Sequence, residues 1–351
     1  MKFSKTIATL ALSAAAFLSS CGKNAEATKN SETSTPAVKS TGETLYVYCG
    51  RKVKYATPLF DLFEKETGVK IIFKEGKTAE LAAVIAKEGK NSPADIFFAQ
   101  DSSNLGSLSA KGVLAELPKA ILSQVDSRYS APQGTWVGTS GRARVLVYNK
   151  ELVKVADLPQ TMEELVSPAW KGKVAWAPKN GSFQSHVVAM NEKLGTEATT
   201  AWVKGMVANG AKEYPKNTPI VKAVNAGEIP VGLVNHYYLL KVTKDMKAEE
   251  VKAANHYFKD GNIGLFVNIS GVAIVKSTQK KALAEKFVKF LLSPTAQELF
   301  KSKNFEYPLA SGVAAHEGLK PLTEINPVKV DLGSLDKLEE TQKLLKAAGA
   351  L

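Results

Sequence analysis

The chain has 351 residues and a formal net charge of +12, from 46 lysines and arginines against 34 acidic residues. The lysines are spread along the whole chain rather than clustered, which argues against a nucleic-acid-binding surface. The two cysteines, Cys21 and Cys49, form neither a CxxC pair nor a zinc-ligand spacing, so a thiolate metal site is excluded.

The first 43 residues have the pattern of an export and anchoring segment. A positively charged start and the short apolar run Ile7–Leu18 indicate a signal peptide over residues 1–20. Cys21 directly follows Leu-Ser-Ser, which resembles a bacterial lipobox, so we expect Cys21 to be lipidated; the alternative is a chance cysteine after an ordinary secretory signal. Residues 21–43 are polar and are expected to form a flexible tether. The protein is therefore expected to be exported and lipid-anchored to a bacterial membrane, in the periplasm or at the cell surface.

Strands and helices alternate from residue 45 onward. The first predicted elements are a strand at Leu45–Cys49, a helix with Thr57 as N-cap and Pro58 in its first turn, a strand at Val69–Phe73, a helix at Thr78–Glu88 and a strand at Asp95–Ala99. This βαβαβ order predicts a parallel sheet with helices on its faces. With Cys21 lipidated, Cys49 has no disulfide partner, and we expect it to be a small core residue.

The alternation continues towards the C-terminus. Further strands are predicted at Arg144–Tyr148, Val174–Trp176, Val231–Val234, Leu265–Asn268 and Val272–Val275. Further helices are predicted at Ser182–Leu194, Thr196–Ala208, from Thr218-Pro219 to Gly227, Lys280–Leu292, Ser293–Lys301 and Leu335–Ala348.

So many α/β units with no second linker predict two doubly wound lobes joined by strands that cross between them. The predicted fold class is α/β, a two-lobed clamshell of the periplasmic-binding-protein type (type II-like) with doubly wound mixed sheets, which closes on its ligand by hinge motion. We assign residues 44–143 plus 268–318 to the N-terminal lobe and residues 144–267 plus 319–351 to the C-terminal lobe.

Two adjacent tyrosines follow one of the predicted strands. Val231–Val234 has the apolar run of a buried parallel strand, Asn235 ends it, and Tyr237 and Tyr238 begin the next helix. In open α/β sheets, ligands bind beyond the carboxyl ends of the strands. A phenol becomes a metal ligand only when a strongly charged cation displaces its proton, and a hard ion such as Fe³⁺ prefers anionic oxygen donors. The alternative is ordinary amphipathic packing with hydrated hydroxyls.

Short motifs along the mature chain point to a known family. Over residues 44–351 the sequence resembles the ferric-ion-binding proteins, the solute receptors of bacterial iron ABC importers, which have a transferrin-like two-lobed fold. The motifs that carry this resemblance are Val47–Gly50, Glu64–Val69, Ser92–Phe97, Ser140–Val145, Trp170–Lys173, Ala223–Pro230, Asn235–Tyr238 and Glu306–Leu309.

The resemblance implies a metal site and an anion site. It places Tyr237 and Tyr238 on the paired tyrosinates that bind Fe³⁺ in the family. It also implies a synergistic anion held by small polar residues and backbone amides, which match Asn180, Gly181, Ser182, Asn217 and Asn235. From the residues themselves, Ser182 opens a helix whose N-terminus favours anions. The alternatives are a simple turn at Asn180-Gly181 and an N-cap at Ser182.

The chain departs from the family at two ligand positions. Lys52 stands where many members have a histidine and Gln100 where they have a glutamate; an ammonium cannot ligate iron and an amide is a weak donor. Another branch carries tyrosines where this chain has Val53 and Phe183. Fe³⁺ with two phenolates keeps about one positive charge, so the site needs a dianion such as carbonate, phosphate or citrate, or a further protein donor.

The candidates for that further donor are Tyr55 and Asp101, although the apolar face of its helix is the alternative location for Tyr55. Arg142, together with Arg144, is a candidate to balance an anion, with surface ion pairing as the alternative. His236, beside the tyrosines, is expected to be a non-ligating residue behind the ligands or at the surface, because the family has a non-ligating residue there.

Two functions remain open at this point. The first is a lipid-anchored receptor of an ABC importer that binds ferric iron with a synergistic anion in the interlobe cleft and delivers it to the permease. Its partners would be the permease and ATPase subunits and the membrane, through Cys21; we expect a monomer. The second keeps the clamshell but carries an anion, such as a phosphonate, or an iron chelate. An enzyme is not expected, because the sequence contains no nucleophile–base pair, metal cluster or Gly-rich phosphate loop.

Overall fold

Ten strands form one mixed sheet in the computed structural model, which describes residues 41–333 and 337–351. The strands are β1 (Thr44–Cys49), β2 (Lys70–Glu75), β3 (Ile96–Ala99), β4 (Val137–Asn149), β5 (Val174–Trp176), β6 (Lys212–Glu213), β7 (Val231–Asn235), β8 (Ala253–His256), β9 (Val267–Ile274) and β10 (Tyr307–Pro308). The predicted signal peptide, Cys21 and most of the predicted tether lie outside the described residues.

Helices cover the faces of this sheet. They are α1 (Val53–Thr67), α2 (Thr78–Glu88), α3 (Ser102–Ala110), α4 (Lys119–Leu122), α5 (Gly181–Leu194), α6 (Thr196–Ala208), α7 (Asn217–Ala226), α8 (Tyr237–Thr243), α9 (Lys281–Leu291), α10 (Pro294–Asn304) and α11 (Leu338–Ala347). The predicted bounds of α2 and α6 are confirmed to the residue. Within the two described ranges, no helix is both long and apolar enough to cross a bilayer.

The sheet contains two parallel blocks connected by antiparallel strands. In the first block β1 pairs in parallel with both β2 and β3, which confirms the predicted βαβαβ arrangement. In the second block β5 pairs in parallel with β6 and β7. Strand β7 is thus parallel to one neighbour, as predicted, but it runs antiparallel to its other neighbour, β4. Strands β9 and β4 carry the hydrogen bonding from one block to the other.

Strand β4 is longer than predicted and takes part in both regions of the sheet. Its 13 residues are all buried. Residues 137–143 pair with β9, whereas residues 144–148 pair with β7. The predicted strand Arg144–Tyr148 is therefore only the second part of β4. The predicted lobe boundary at residues 143 and 144 falls inside this strand, and the division into lobes remains a prediction.

Helix α1 begins earlier than predicted. It starts at Val53, so Pro58 lies inside the helix and Thr57 is not its N-cap. The Lys52 carbonyl already accepts hydrogen bonds from the backbone N–H groups of Tyr55 (2.9 Å) and Ala56 (3.2 Å). Pro58 removes the helix bond to the carbonyl of Lys54, a residue exposed to water. Burial of the helix face that carries Ala56, Leu59, Phe60 and Phe63 outweighs this loss.

The two strands predicted around residues 265–275 are one strand, β9. The sequence predicted an interruption between residues 268 and 272, but the strand runs through it; a Cβ at Gly271 would lie 2.7 Å from Leu105 Cδ1 of α3 and 2.9 Å from the Val137 carbonyl of β4. Glycine is therefore required for close packing within a continuous strand. Cys49, at the end of β1, is free and fully buried, as predicted.

Candidate metal and anion site

A cavity of about 910 Å³ lies where several parallel strands end. Its lining comes from the segments that directly follow the carboxyl ends of strands in both blocks, which is where open α/β sheets bind ligands. Representative lining residues are Lys52 and Tyr55 after β1, Thr78 after β2, Gln100 after β3, Asn180, Gly181 and Ser182 after β5, and Tyr237 and Tyr238 after β7.

The two adjacent tyrosines face this cavity together. Tyr237 and Tyr238 are half-buried, and their rings stack with centroids 4.4 Å apart and an interplanar angle of 29°. Burial raises the pKa of Tyr237 well above its usual value, and the neighbouring Tyr238 raises it further. The phenol is therefore protonated in the metal-free protein, and only a strongly charged cation at its oxygen would displace that proton.

His236 supports the tyrosines from the interior and is not available as a ligand. It is fully buried, its Nδ1 accepts a hydrogen bond from the Ala143 N–H (3.0 Å), and its Nε2 donates to the Phe305 carbonyl (2.8 Å). Burial lowers the pKa of His236 to about 4. Of the two predicted alternatives, the surface position is wrong, and the non-ligating position behind the tyrosines agrees with the structure.

The N-terminus of α5 forms a second wall of the cavity. Asn180 is the N-cap, and its Oδ1 accepts hydrogen bonds from the Ser182 N–H (3.1 Å), the Ser182 hydroxyl (2.6 Å) and the Asn217 amide (3.1 Å). Asn217 also donates to Ser182 Oγ at 3.2 Å. The helix thus starts at Gly181, and the alternative that Ser182 is the N-cap is wrong. These bonds fix the polar groups of Asn180, Ser182 and Asn217 as one unit.

Arg144 lies behind this unit without a counter-ion. It is 2% exposed, and its Nη1 donates to Asn235 Oδ1 at 3.0 Å and approaches Asn217 Oδ1 at 3.5 Å. Its Nε and Nη2 have no hydrogen-bond partner, and no carboxylate of the described residues pairs with it. Burial lowers the pKa of Arg144 to about 10, although Tyr238 and Tyr237 act in the opposite direction. Surface ion pairing, the alternative from the sequence, is therefore wrong for Arg144.

A smaller chamber of about 280 Å³ adjoins the cavity and shares Gln100, Gly181 and Ser182 with it. Asp101, Arg142, Arg144 and Asn235 line this chamber and not the larger cavity. Arg142 is also buried and donates to the backbone carbonyls of Gln100 and Ile269, while its Nε is unpartnered. The structure thus divides the predicted anion-binding residues between two spaces that share lining residues, while Asn217 is buried and lines neither.

Asp101 and Tyr55, the two further donor candidates, have different surroundings. Asp101 Oδ1 accepts hydrogen bonds from Ser103 Oγ and Asn104 Nδ2, both at 2.7 Å, at the start of α3. Tyr55 lines the same cavity as the tyrosine pair, and its hydroxyl accepts a hydrogen bond from Lys241 Nζ at 3.0 Å. Burial raises the pKa of Tyr55, but the hydrogen bond and charge of Lys241 outweigh this effect and lower it.

Sequence reasoning missed Lys241 and the role of Glu306. The Lys241 ammonium lies over the rings of Tyr55 (4.4 Å) and Tyr237 (4.3 Å), and its position one helical turn after Tyr237 was the signal that could have identified it. Glu306 lines the cavity and is paired with the buried Arg51 at 2.9 Å. The only feature of the sequence that pointed to Glu306 was its position in the family motif Glu306–Leu309. Burial raises the pKa of Glu306, but the charges of Arg51 and Arg142 lower it overall.

Acidic and imidazole ligands do not gather anywhere in the described ranges. No group of three or more His, Cys, Asp or Glu side chains there is arranged to hold a metal ion. Lys52, at the family's histidine position, is exposed at the cavity and brings a positive charge instead of a donor.

Comparison with known proteins gives consistent matches over most of the chain. A family model for bacterial extracellular solute-binding proteins matches residues 91–330. The chain is 32% identical to the Fe(3+)-binding periplasmic protein of Serratia marcescens, over 89% of this chain and 92% of that protein. Iron-bound HitA from Pseudomonas aeruginosa aligns with a TM-score of 0.77 at 32% identity, over 88% of this chain and 99% of that one. A Trichodesmium protein (IdiA, FutA) in complex with iron and citrate aligns with a TM-score of 0.76 at 32% identity, over 88% and 100% of the two chains.

These matches confirm the predicted fold class, the α/β two-lobed clamshell. They also agree with the motifs that carried the resemblance, and the family consists of solute-binding proteins rather than enzymes. The chain therefore belongs to the bacterial extracellular solute-binding proteins, within the ferric-ion-binding family.

Proposed function

We propose that this protein is the exported receptor of an ABC importer and binds ferric iron through the phenolate oxygens of Tyr237 and Tyr238. The observation that carries this proposal is the stacked pair of phenols at the carboxyl end of β7, facing a cavity that has no cluster of other ligands among the described residues. Fe³⁺ has the charge to displace both protons, which pass to water as the two Fe–O bonds form. The relatives named for ferric iron support the same cargo.

A synergistic anion completes the site in this proposal. Two phenolates leave about one positive charge on Fe³⁺, and the buried Arg144 adds another, so a carbonate, phosphate or citrate would balance both. The support is the pair of unpartnered N–H donors on Arg144 Nε and Nη2, next to the polar unit of Asn180, Ser182 and Asn217. Arg142 and Asn235 line the adjoining chamber together with Arg144, Gly181 lines both spaces, and all four would contribute donors to the anion.

A third protein donor is better supported for Tyr55 than for Asp101. Tyr55 lines the cavity of the tyrosine pair, and Lys241 already favours the ionised phenol. To bind iron, its oxygen would exchange the hydrogen bond from Lys241 for the metal. The carboxylate of Asp101 instead lines the smaller chamber and is engaged by Ser103 and Asn104.

The remaining parts of the proposed function follow from the family and from the N-terminal sequence. Solute-binding proteins of importers deliver their cargo to a permease driven by an ATPase, and we propose the same partners here. The lipobox-like sequence supports a lipid anchor at Cys21, which would tether the receptor to a bacterial membrane. We propose separately that the receptor is a monomer. Mass spectrometry of the protein extracted from membranes would detect the lipid on Cys21.

The test of the iron site is a titration of the protein with ferric citrate in air while the visible spectrum is recorded. Tyrosinate bound to Fe³⁺ gives a coloured charge-transfer band, which we expect for the wild type and not for Tyr237→Phe or Tyr238→Phe. Tyr55→Phe should keep a band, shifted if Tyr55 is a donor. Tyr46→Phe is the matched control, because Tyr46 is exposed on β1 away from the cavity. A colourless wild-type protein would refute the proposal and favour the anion-binding alternative.

A further inference from the structure

A lysine and a tyrosine meet across the cavity from the two parallel blocks of the sheet. Tyr55 belongs to α1, which follows β1 and packs against β2, whereas Lys241 belongs to α8, which follows β7 and packs against α7. The Tyr55 hydroxyl accepts a hydrogen bond from Lys241 Nζ at 3.0 Å, and both side chains line the cavity. Two walls of the cavity that belong to different blocks are therefore in direct contact at this point.

The Lys241 ammonium also contacts the stacked tyrosine pair. Its Nζ lies 4.4 Å from the ring centroid of Tyr55 and 4.3 Å from that of Tyr237, so the ammonium is held between two aromatic rings. Such cation–π contacts contribute most where the cation is partly desolvated, and Lys241 is half-buried. Within the two described ranges no carboxylate pairs with Lys241, so its charge is met by phenolic and aromatic groups.

A cationic cargo would compete with Lys241 for these groups. In the proposed iron site, Fe³⁺ binds the oxygens of Tyr237 and Tyr238, and the centre keeps about one positive charge. The ammonium attracts each phenolate, but a trivalent ion at a similar distance repels it more strongly, so the loaded centre as a whole repels it. The flexible four-carbon stem of lysine allows the ammonium to turn towards water. Binding of the metal and the present position of Lys241 therefore oppose each other.

We propose that Lys241 is a latch, which joins the two blocks in the unloaded protein by binding Tyr55 and Tyr237 and is displaced when a cationic cargo binds. Clamshell folds close by hinge motion, so a bond between opposite walls favours the closed form. Lys241 is thus a positioning residue, since it acts through the tyrosines and not on the cargo. The displacement step rests on the proposed function, whereas the joining of the two walls does not.

A neighbouring lysine provides the matched control. Lys54 lines the same cavity, and its Nζ lies 4.9 Å from the ring centroid of Tyr55, but Lys54 is on α1 itself. The Lys54→Met variant removes the same charge from the same phenol and leaves the bond between α1 and α8 in place. The Lys241→Met variant removes both the charge and that bond, with a side chain of similar length. Comparison of the two variants separates the latch from a change in net charge.

Small-angle X-ray scattering of the full-length, metal-free protein tests the latch. We expect a larger radius of gyration for Lys241→Met than for the wild type, and no change for Lys54→Met. Tyr55→Phe loses the hydroxyl acceptor but keeps the ring, so it should increase the radius by a smaller amount, and it decides the question if Lys241→Met does not fold. Equal radii in the wild type and the latch variants would overturn the inference. An equal increase in Lys54→Met would also overturn it, because charge alone would then be responsible.

Stopped-flow mixing with ferric citrate, followed at the tyrosinate band, tests the displacement step. Only the open form admits cargo, so the association rate should rise with the open fraction. Loss of one hydrogen bond to a charged group changes such an equilibrium by roughly ten-fold, so Lys241→Met should bind iron up to roughly ten-fold faster and Lys54→Met at the wild-type rate. An unchanged or slower rate in Lys241→Met would overturn this step. Failure of the wild type to bind iron would instead refute the proposed function, and the scattering comparison, which needs no metal, would still decide the latch.

Discussion

Removal of the Arg144 charge is expected to stabilise the metal-free protein while weakening its binding of anions. The guanidinium is buried, and its Nε and Nη2 have no partner. Such a charge costs free energy in the folded state unless a ligand compensates it. We therefore predict that Arg144→Gln increases the free energy of unfolding in anion-free buffer, the opposite of the usual effect of changing a buried polar residue.

The magnitude follows from the structure. Burial lowers the pKa of Arg144 from 12.5 to about 10, which at about 1.4 kcal/mol per pKa unit disfavours the charged form by about 3 kcal/mol. The substitution also loses the hydrogen bond to Asn235 at 3.0 Å and the weak one to Asn217 at 3.5 Å, together about 1–2 kcal/mol. The expected net stabilisation is about 1–2 kcal/mol.

The assay is urea denaturation at neutral pH, in the absence and presence of phosphate, with metal removed. Phosphate should stabilise the wild type by mass action and have little effect on Arg144→Gln. Arg128→Gln is the control, because Arg128 is exposed and paired with Asp126 at 2.9 Å, so its loss should change stability by less than about 1 kcal/mol. The reasoning is refuted if Arg144→Gln is less stable than the wild type in anion-free buffer.

Two further predictions concern acid stability and packing beneath the site. Burial lowers the pKa of His186 to about 3 and that of His236 to about 4. As the pH drops, the two histidines therefore take up protons in the unfolded chain before they do so in the folded protein. The free energy of unfolding should fall between about pH 6.5 and 4, by up to about 1.4 kcal/mol per pH unit for each histidine. Urea denaturation at several pH values measures this, and a flat profile between pH 6.5 and 5 would contradict it. A Cβ at Gly232 of β7 would lie 2.2 Å from Ile220 Cγ2 of α7, so Gly232→Ala should cost about 1–3 kcal/mol. Adding Ile220→Ala should give a smaller total loss than the sum of the two single losses, and strict additivity would exclude the contact as the cause.

Local signals in the sequence determined much of the framework. Apolar periodicity, glycines at helix ends and short strands predicted the parallel order of β1, β2 and β3, and they predicted α2 and α6 to the residue. The same signals placed Tyr237 and Tyr238 at a helix start beyond a strand end, which the structure confirms. These features were predictable because each depends on residues within a few positions of one another.

The tertiary structure alone decided where the charges lie. From the sequence, Arg144 could equally have formed a surface ion pair or balanced an anion, and the pairing of β4 with β7 places it, buried, next to Asn217 and Asn235. Pro58 looked like a helix start, but core packing of α1 overrides that preference. Lys241 and Tyr55 are 186 positions apart in sequence and are brought together only by folding. Burial and ion pairing depend on such long-range contacts, which no local pattern of residues encodes, so the electrostatics of the site could not be predicted from the sequence by itself.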